Sequence, residues 1–158
     1  MKYFVYEKDK RGSFVKNFLK SKFNNFLIKE VYCAKSKKGV IRGMHYQNLA
    51  LRQEKIISCL KGKILDVIID IRKNYKKFGK FYINILDEKK NNFLHIKKGF
   101  AHGYLTLSKE SLVLYLSNTE FKSNQDFGFK FDSFGFKWPV KKAILSKKDK
   151  NLEPLNKR

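Results

Sequence analysis

From residue 27 onward, apolar residues recur at alternate positions in short runs separated by Gly, Asn and Lys clusters, a spacing that predicts strand after strand. The runs fall at 27–34, 40–47, 56–60, 64–71, 81–86, 93–96, 103–107 and 112–117, with turns at 35–39, 61–63, 73–80 and 87–92 and a loop at 48–54. Residues 3–6 alternate weakly and predict a first strand, followed by a turn at 9–13. Between residues 14 and 23 the pattern changes, because apolar residues at 14, 15, 18, 19 and 23 have a helical spacing and predict one short helix. From Ala143 the tail reads as short helix or irregular chain. Many short strands with such turns predict an all-β sandwich or barrel. No repeat, linker or low-complexity segment divides the chain, so residues 1–158 read as a single domain.

Faces follow from the period of two. Within 64–71, Leu65, Val67, Ile69 and Ile71 share one face, while Ile64, Asp66, Ile68 and Asp70 share the other. Val113, Tyr115 and Ser117 likewise oppose Leu112, Leu114 and Leu116. Around Gly43, His45 and Gln47 point one way and Arg42, Met44 and Tyr46 the other. His45, Asp66 and Tyr115 can therefore share one lumen. Buried polar groups need partners, so a polar interior is better explained as a pocket than as a closed core. On this pattern alone His45 is a core histidine, a metal ligand or an acid/base.

Composition changes the picture little. A hydrophobic content of 42% is enough for a globular core, and 158 residues suffice for one domain without staples. The formal charge of +22 raises nucleic acid as a partner. However, the basic residues are overwhelmingly lysine, scattered beside turns, whereas base and phosphate readers rely on the arginine fork. The expectation is a solvated basic surface, with no nucleic-acid partner, whose field attracts a small anionic substrate. Cys33 and Cys59 have no CxxC spacing and sit in strand runs, which predicts buried free thiols in a reducing cytosol. There is no apolar leader at the N-terminus and no run near the ~20 residues needed to span a bilayer. A soluble cytoplasmic protein with no membrane partner is expected.

Several stretches taken together resemble a known family. Gly39-Val40-Ile41-Arg42-Gly43-Met44-His45-Tyr46-Gln47, the run from Lys63 to Arg72, and Gly99-Phe100-Ala101-His102-Gly103-Tyr104 occur in order, followed by Leu114-Tyr115, Lys137-Trp138-Pro139 and Leu145-Ser146-Lys147-Lys148-Asp149. They are similar to the motifs of the nucleoside-diphosphate 4-keto-sugar 3,5-epimerases, the dTDP-4-dehydrorhamnose 3,5-epimerase family of the cupin superfamily. The likeness covers about positions 9–149. It implies a cupin-type jelly-roll barrel, no metal and no cofactor. It also implies a homodimer whose partner subunit completes the nucleotide pocket, and a role in surface polysaccharide biosynthesis.

The resemblance further implies roles for individual residues. His45 is the general base, Asp149 the carboxylate that orients it, and Lys55 the cation that stabilises an enolate at O4. Tyr115 is the acid that returns a proton from the opposite face. Arg42 and Arg11 hold the diphosphate and nucleotide, and His102, supported by Asp66, contacts the substrate. Phe121 stacks on the base, and Lys148 and Gln47 occupy further binding positions. Some positions depart from the pattern. Lys16 stands where the family has a glutamate, Glu30-Val31-Tyr32 replaces a Gln-Asp-Asn stretch, and Lys97-Lys98 replaces a proline region. These departures point away from dTDP-4-keto-6-deoxyglucose and toward a 4-keto hexose or heptose linked to GDP, with a dTDP-4-keto-6-deoxyhexose as the alternative substrate.

One tension and three rivals remain. Strict alternation separates Arg42 from His45, so Gly43 must kink or twist the strand if both serve one pocket. A metal-dependent cupin has three histidines available (His45, His95, His102) but lacks the usual HxH and glutamate spacing. A basic β-barrel binding nucleic acid accounts for the charge and the fifteen phenylalanines but not for the His/Lys/Tyr set. A non-catalytic sugar-nucleotide binder would bind without proton exchange.

Overall fold

Strands dominate the computed structural model, which describes residues 6–23, 25–47 and 53–155. In chain order they are β1 (Tyr6–Asp9), β2 (Gly12–Val15), β3 (Glu30–Lys37), β4 (Ile41–Gln47), β5 (Lys55–Lys61) and β6 (Lys63–Asp70), then β7 (Phe81–Asp87), β8 (Phe93–Ile96), β9 (Phe100–Thr106), β10 (Glu110–Ser117) and β11 (Asp126–Gly128), before helix α1 (Lys147–Lys150). β1 and β2 form a hairpin of their own. The other strands make a four-stranded sheet in the order β3-β10-β5-β8 and a five-stranded sheet in the order β11-β4-β9-β6-β7. The pairings are antiparallel. Late strands lie between early ones, β10 between β3 and β5 and β9 between β4 and β6, which is the interleaving of a jelly roll. The expected fold is borne out.

Three apolar layers hold the sheets. Between them, Ile57, Ile64, Tyr104, Val113 and Tyr115 pack together. On the outside of the five-stranded sheet, Met44, Val67, Ile69 and Leu105 are covered by Phe129, Phe134 and Trp138 from the C-terminal segment. On the outside of the four-stranded sheet, Ile56 and Leu116 are covered by Phe26, with Phe18 and Phe23 beside it. So the leucine and isoleucine face of 64–71 does turn away from the lumen, but protein covers it.

The predicted helix at 14–23 does not form. Gly12–Val15 pairs with Tyr6–Asp9, and the remainder is irregular apart from a 3₁₀ turn at Lys20–Lys22. The apolar spacing there serves a wrapped loop, whose Phe18 and Phe23 rings stack at 5.6 Å over the sheet. Phe, Val and Asn have little helix propensity to oppose that packing. The predicted strand at 3–6 and loop at 48–54 fall largely outside the described residues. The helical tail forms as α1. Sequence pattern did not reveal β11. Cys59 is buried as expected, but Cys33 is exposed, because β3 is an outer strand with little covering its outer face there. No helix among the described residues is long and apolar enough to cross a membrane.

Candidate active site

A cavity of about 370 Å³ opens between the sheets, with Arg42, His45, Lys55, His102, Tyr115 and Asp149 in its wall. β4 contributes two of them through an irregularity. Its register with β9 runs Ile41↔Leu105, Arg42↔Tyr104 and then His45↔His102, so Gly43 and Met44 together oppose Gly103. That one extra residue is a β-bulge, and it rephases the strand. Ile41 and Met44 both enter the outer core, and Arg42 and His45 both reach the cavity. Alternation had placed Arg42 with Met44 and Tyr46, and the bulge corrects that. The backbones approach so closely that a Cβ on Gly43, whose φ is +121°, would lie 2.6 Å from Gly103 Cα.

His45 donates from Nε2 to Asp149 Oδ1 at 2.6 Å. In a neutral ring this leaves Nδ1 as the basic nitrogen. Asp149 comes from the far end of the chain. The C-terminal segment is pinned along β4 by Ile41 N to Ile144 O at 3.0 Å and Ile144 N to Gly39 O at 2.9 Å. Ser146 then caps α1 by accepting from the Asp149 amide at 3.0 Å, which aims the carboxylate inward. Burial alone would raise the Asp149 carboxyl, but the His45 bond and charge, Ser146 and Lys148 outweigh it and hold it below its ordinary value.

Lys55 opens β5 on the inner face. Burial lowers its ammonium below the usual lysine value, with Asp126 and Glu30 opposing the shift. It makes no ion pair among the described residues, so its charge is available to whatever enters the cavity. Tyr115 is 6% exposed, and burial pushes its hydroxyl well above the ordinary range. His102 pairs with the fully buried Asp66, whose carboxyl is raised by burial against the pull of His102. Arg42 is steadied by Nε to Ser36 Oγ at 2.9 Å and Nη2 to Lys35 O at 3.1 Å, and Ser36 in turn meets the Tyr104 hydroxyl at 3.0 Å.

Of the residues singled out from sequence, the structure therefore gathers His45, Lys55, Tyr115, Asp149, Arg42, His102 and Lys148 around one cavity, with Asp66 immediately behind His102. Lys148 is ion-paired to Asp126. Gln47 is buried but does not line the cavity, and its Oε1 has no partner among the described residues. Arg11 lies at the β1–β2 turn, its side chain 85% exposed and tied to Asp9, outside the cavity of its own chain. Phe121 is exposed on the segment after β10, also outside it. Sequence reading missed Tyr32 and Ser146 in the wall. The signal for Tyr32 was its place in the Glu30-Val31-Tyr32 stretch that replaces the family's Gln-Asp-Asn. Among the described residues no cluster of His, Cys, Asp and Glu is arranged to hold a metal. His95, the third histidine, pairs with Glu54 at 2.6 Å outside this cavity.

Comparison with known proteins points to one family. The family model described as dTDP-4-dehydrorhamnose 3,5-epimerase matches residues 4–157. A protein of that name from Shigella flexneri is 37% identical over 151 residues, spanning 90% of this chain and 83% of its own length. Among solved structures, the dTDP-4-dehydrorhamnose 3,5-epimerase of Bacillus anthracis with TDP and PPi bound superposes with a TM-score of 0.90 at 31% identity, covering 96% of this chain and 90% of that one. A dTDP-6-deoxy-D-glucose-3,5-epimerase from Legionella pneumophila, in complex with dTDP-4-keto-L-rhamnose, gives 0.90 at 28% identity, covering 95% and 84%.

Proposed function

Since this chain belongs to the dTDP-4-dehydrorhamnose 3,5-epimerase family, we propose that it inverts C3, C5 or both in a dTDP-linked 4-keto-6-deoxy sugar, with His45, Lys55, Tyr115 and Asp149 as its catalytic set. It is an isomerase of nucleotide-activated 4-keto sugars, in carbohydrate biosynthesis. The relatives carry dTDP in their names, which favours that nucleotide over GDP. The observation that carries the residue roles is the His45–Asp149 bond in a cavity that also holds Lys55 and Tyr115.

The chemistry follows from the ketone. Protons on C3 and C5 flank C4, so removing either leaves a charge that O4 can hold as an enolate. His45 takes the proton through its free ring nitrogen, and Asp149 stabilises the imidazolium. Lys55, without an ion pair among the described residues and partly desolvated, offers its charge to O4, the kind of interaction often worth most in such reactions. Tyr115 returns a proton from the other side. Arg42, held at the cavity rim by Ser36, suits the diphosphate, and His102 on its Asp66 support suits the sugar.

A homodimer belongs to the same proposal. Among the described residues the β1–β2 hairpin joins neither sheet, and β3 has an open edge. A hairpin laid on a second copy would carry Arg11 toward that copy's cavity. Light scattering should return twice the chain mass, and Arg11→Ala should raise KM more than it lowers kcat.

The deciding experiment is NMR in D₂O with dTDP-4-keto-6-deoxyglucose and its GDP counterpart. Deuterium should enter at C3, C5 or both, and His45→Asn should slow it by about 10²–10⁴-fold. A folded protein that exchanges neither proton in any such sugar overturns the reading.

A further inference from the structure

Tyr32 stands in the cavity wall with no role in the scheme above. It lies on β3 directly across from Tyr115 on β10. Directly opposed residues project from the same face of a sheet, so both rings enter the lumen. They stack nearly parallel, with centroids 4.7 Å apart and planes 6° from each other. His102 meets the same Tyr115 ring edge-on, at 6.1 Å and 72°. Tyr115 is thus fixed by one aromatic on its face and another at an angle to it, leaving its two side-chain torsions little freedom.

Exposure shows what the outer ring does. Tyr32 is 36% exposed and Tyr115 only 6%. β3 is the last strand of its sheet among the described residues, so within one copy of the chain it is the Tyr32 ring that covers Tyr115 on that side. Take away the Tyr32 ring and that face of Tyr115 loses the cover its own chain gives it.

We infer that Tyr32 is a positioning residue for proton return: its ring holds the Tyr115 phenol toward the sugar and keeps water from that side of the cavity. The inference rests on Tyr115 being the proton donor. Once His45 has taken the carbon-bound proton, the enolate has two fates. For inversion, the Tyr115 O–H bond breaks, the enolate electron pair forms a new C–H bond on the opposite face, and the phenolate and imidazolium later re-equilibrate with solvent. If the phenol is turned or wetted, His45 returns a proton, or a deuteron acquired from D₂O, to the face it came from. That outcome is exchange without inversion. Their ratio therefore reads the geometry of Tyr115. The alkaline limb reads its environment, because burial is the main cause raising the Tyr115 hydroxyl, with Tyr104, Tyr32 and Asp66 adding to it and Arg42 opposing it, and water would let it fall.

The test compares wild type, Tyr32→Phe and Tyr32→Leu in D₂O, following deuterium in recovered substrate against inverted product across pH. Tyr32→Leu should lower inversion relative to exchange by about tenfold or more and move the alkaline limb of inversion to lower pH. Tyr32→Phe, which restores the stack without the hydroxyl, should return the ratio to wild type. A folded Tyr32→Leu protein whose ratio stays within about twofold of wild type overturns the inference. So does a Tyr32→Phe protein as impaired as Tyr32→Leu. Should Tyr32→Leu not fold, Tyr32→Met is read by the same criterion. Absence of exchange in wild type would instead count against the epimerase reading, which keeps the two failures apart.

Discussion

Asp149 and His45 lie 104 residues apart in the sequence, and one hydrogen bond of 2.6 Å makes them a unit. Asp149→Asn keeps the shape but offers an amide in place of a carboxylate. The imidazole tautomer is then no longer fixed and its protonated form loses its counter-charge. We expect kcat to fall by about 10²–10⁴-fold with KM little changed, measured by steady-state kinetics. Gly43→Ala is expected to act through the backbone. The added methyl would meet Gly103 Cα at 2.6 Å and the His102 carbonyl at 2.7 Å, so urea unfolding should show a loss of about 2 kcal/mol or more, with activity lost alongside. Legibility at this scale was uneven. His45, Lys55, Tyr115 and Asp149 were readable because their motifs stand in order along the chain. The inward turn of Arg42 was not, since alternation assumes one residue per step and the bulge at Gly43-Met44 adds one.

At the scale of elements, a period of two located most strands because each of them buries one face, and it failed where burial is arranged differently. Phe18 and Phe23 belong to a run with the spacing of a helix, yet together with Phe26 they wrap over Ile56, Phe93 and Leu116 as loop. β11 is too short, at Asp126–Gly128, to display a period. The largest feature hidden from pattern is the cover over the five-stranded sheet, where Phe136 meets Trp138 edge-on at 5.0 Å and the Trp138 indole donates to Phe131 O at 2.7 Å. Trp138→Ala should therefore cost about 3–5 kcal/mol in denaturant unfolding. It should spare turnover per folded molecule, because the indole lies across the sheet from the cavity.

Charge sets the behaviour of the whole molecule. The Arg72 hydrogen bonds hold Asp70 below its ordinary carboxyl value of 3.8, and Lys63 does the same for Asp87. For Asp149 the lowering by His45, Ser146 and Lys148 exceeds the raising by burial. In each case the folded state binds its proton less tightly than the unfolded chain. Their stabilisation is thus complete above about pH 4 and is lost as pH falls through the lowered folded values. Burial also lowers His95, which takes some stability away as pH falls through the histidine range, and raises Asp66, which acts in the opposite sense, so thermal midpoints measured from pH 7 down to 2 should fall most steeply below about pH 4. With a net charge of +22 and a dianionic diphosphate as proposed substrate, kcat/KM should also decline as salt shortens the Debye length, to about 10 Å at 0.1 M.

The C-terminal segment both roofs the outer core and delivers Asp149. Polypeptides leave the ribosome N-terminus first, so nearly every strand of both sheets is made before the residues that arm the base. A product stalled or clipped ahead of residue 146 would hold the lumen, with Lys55 and Tyr115 in place, but its His45 would lack the carboxylate that orients it. If the break fell before residue 129 it would also display a bare apolar face. In this fold, competence for turnover and concealment from proteolytic surveillance are acquired together, from a stretch translated after β1 to β11.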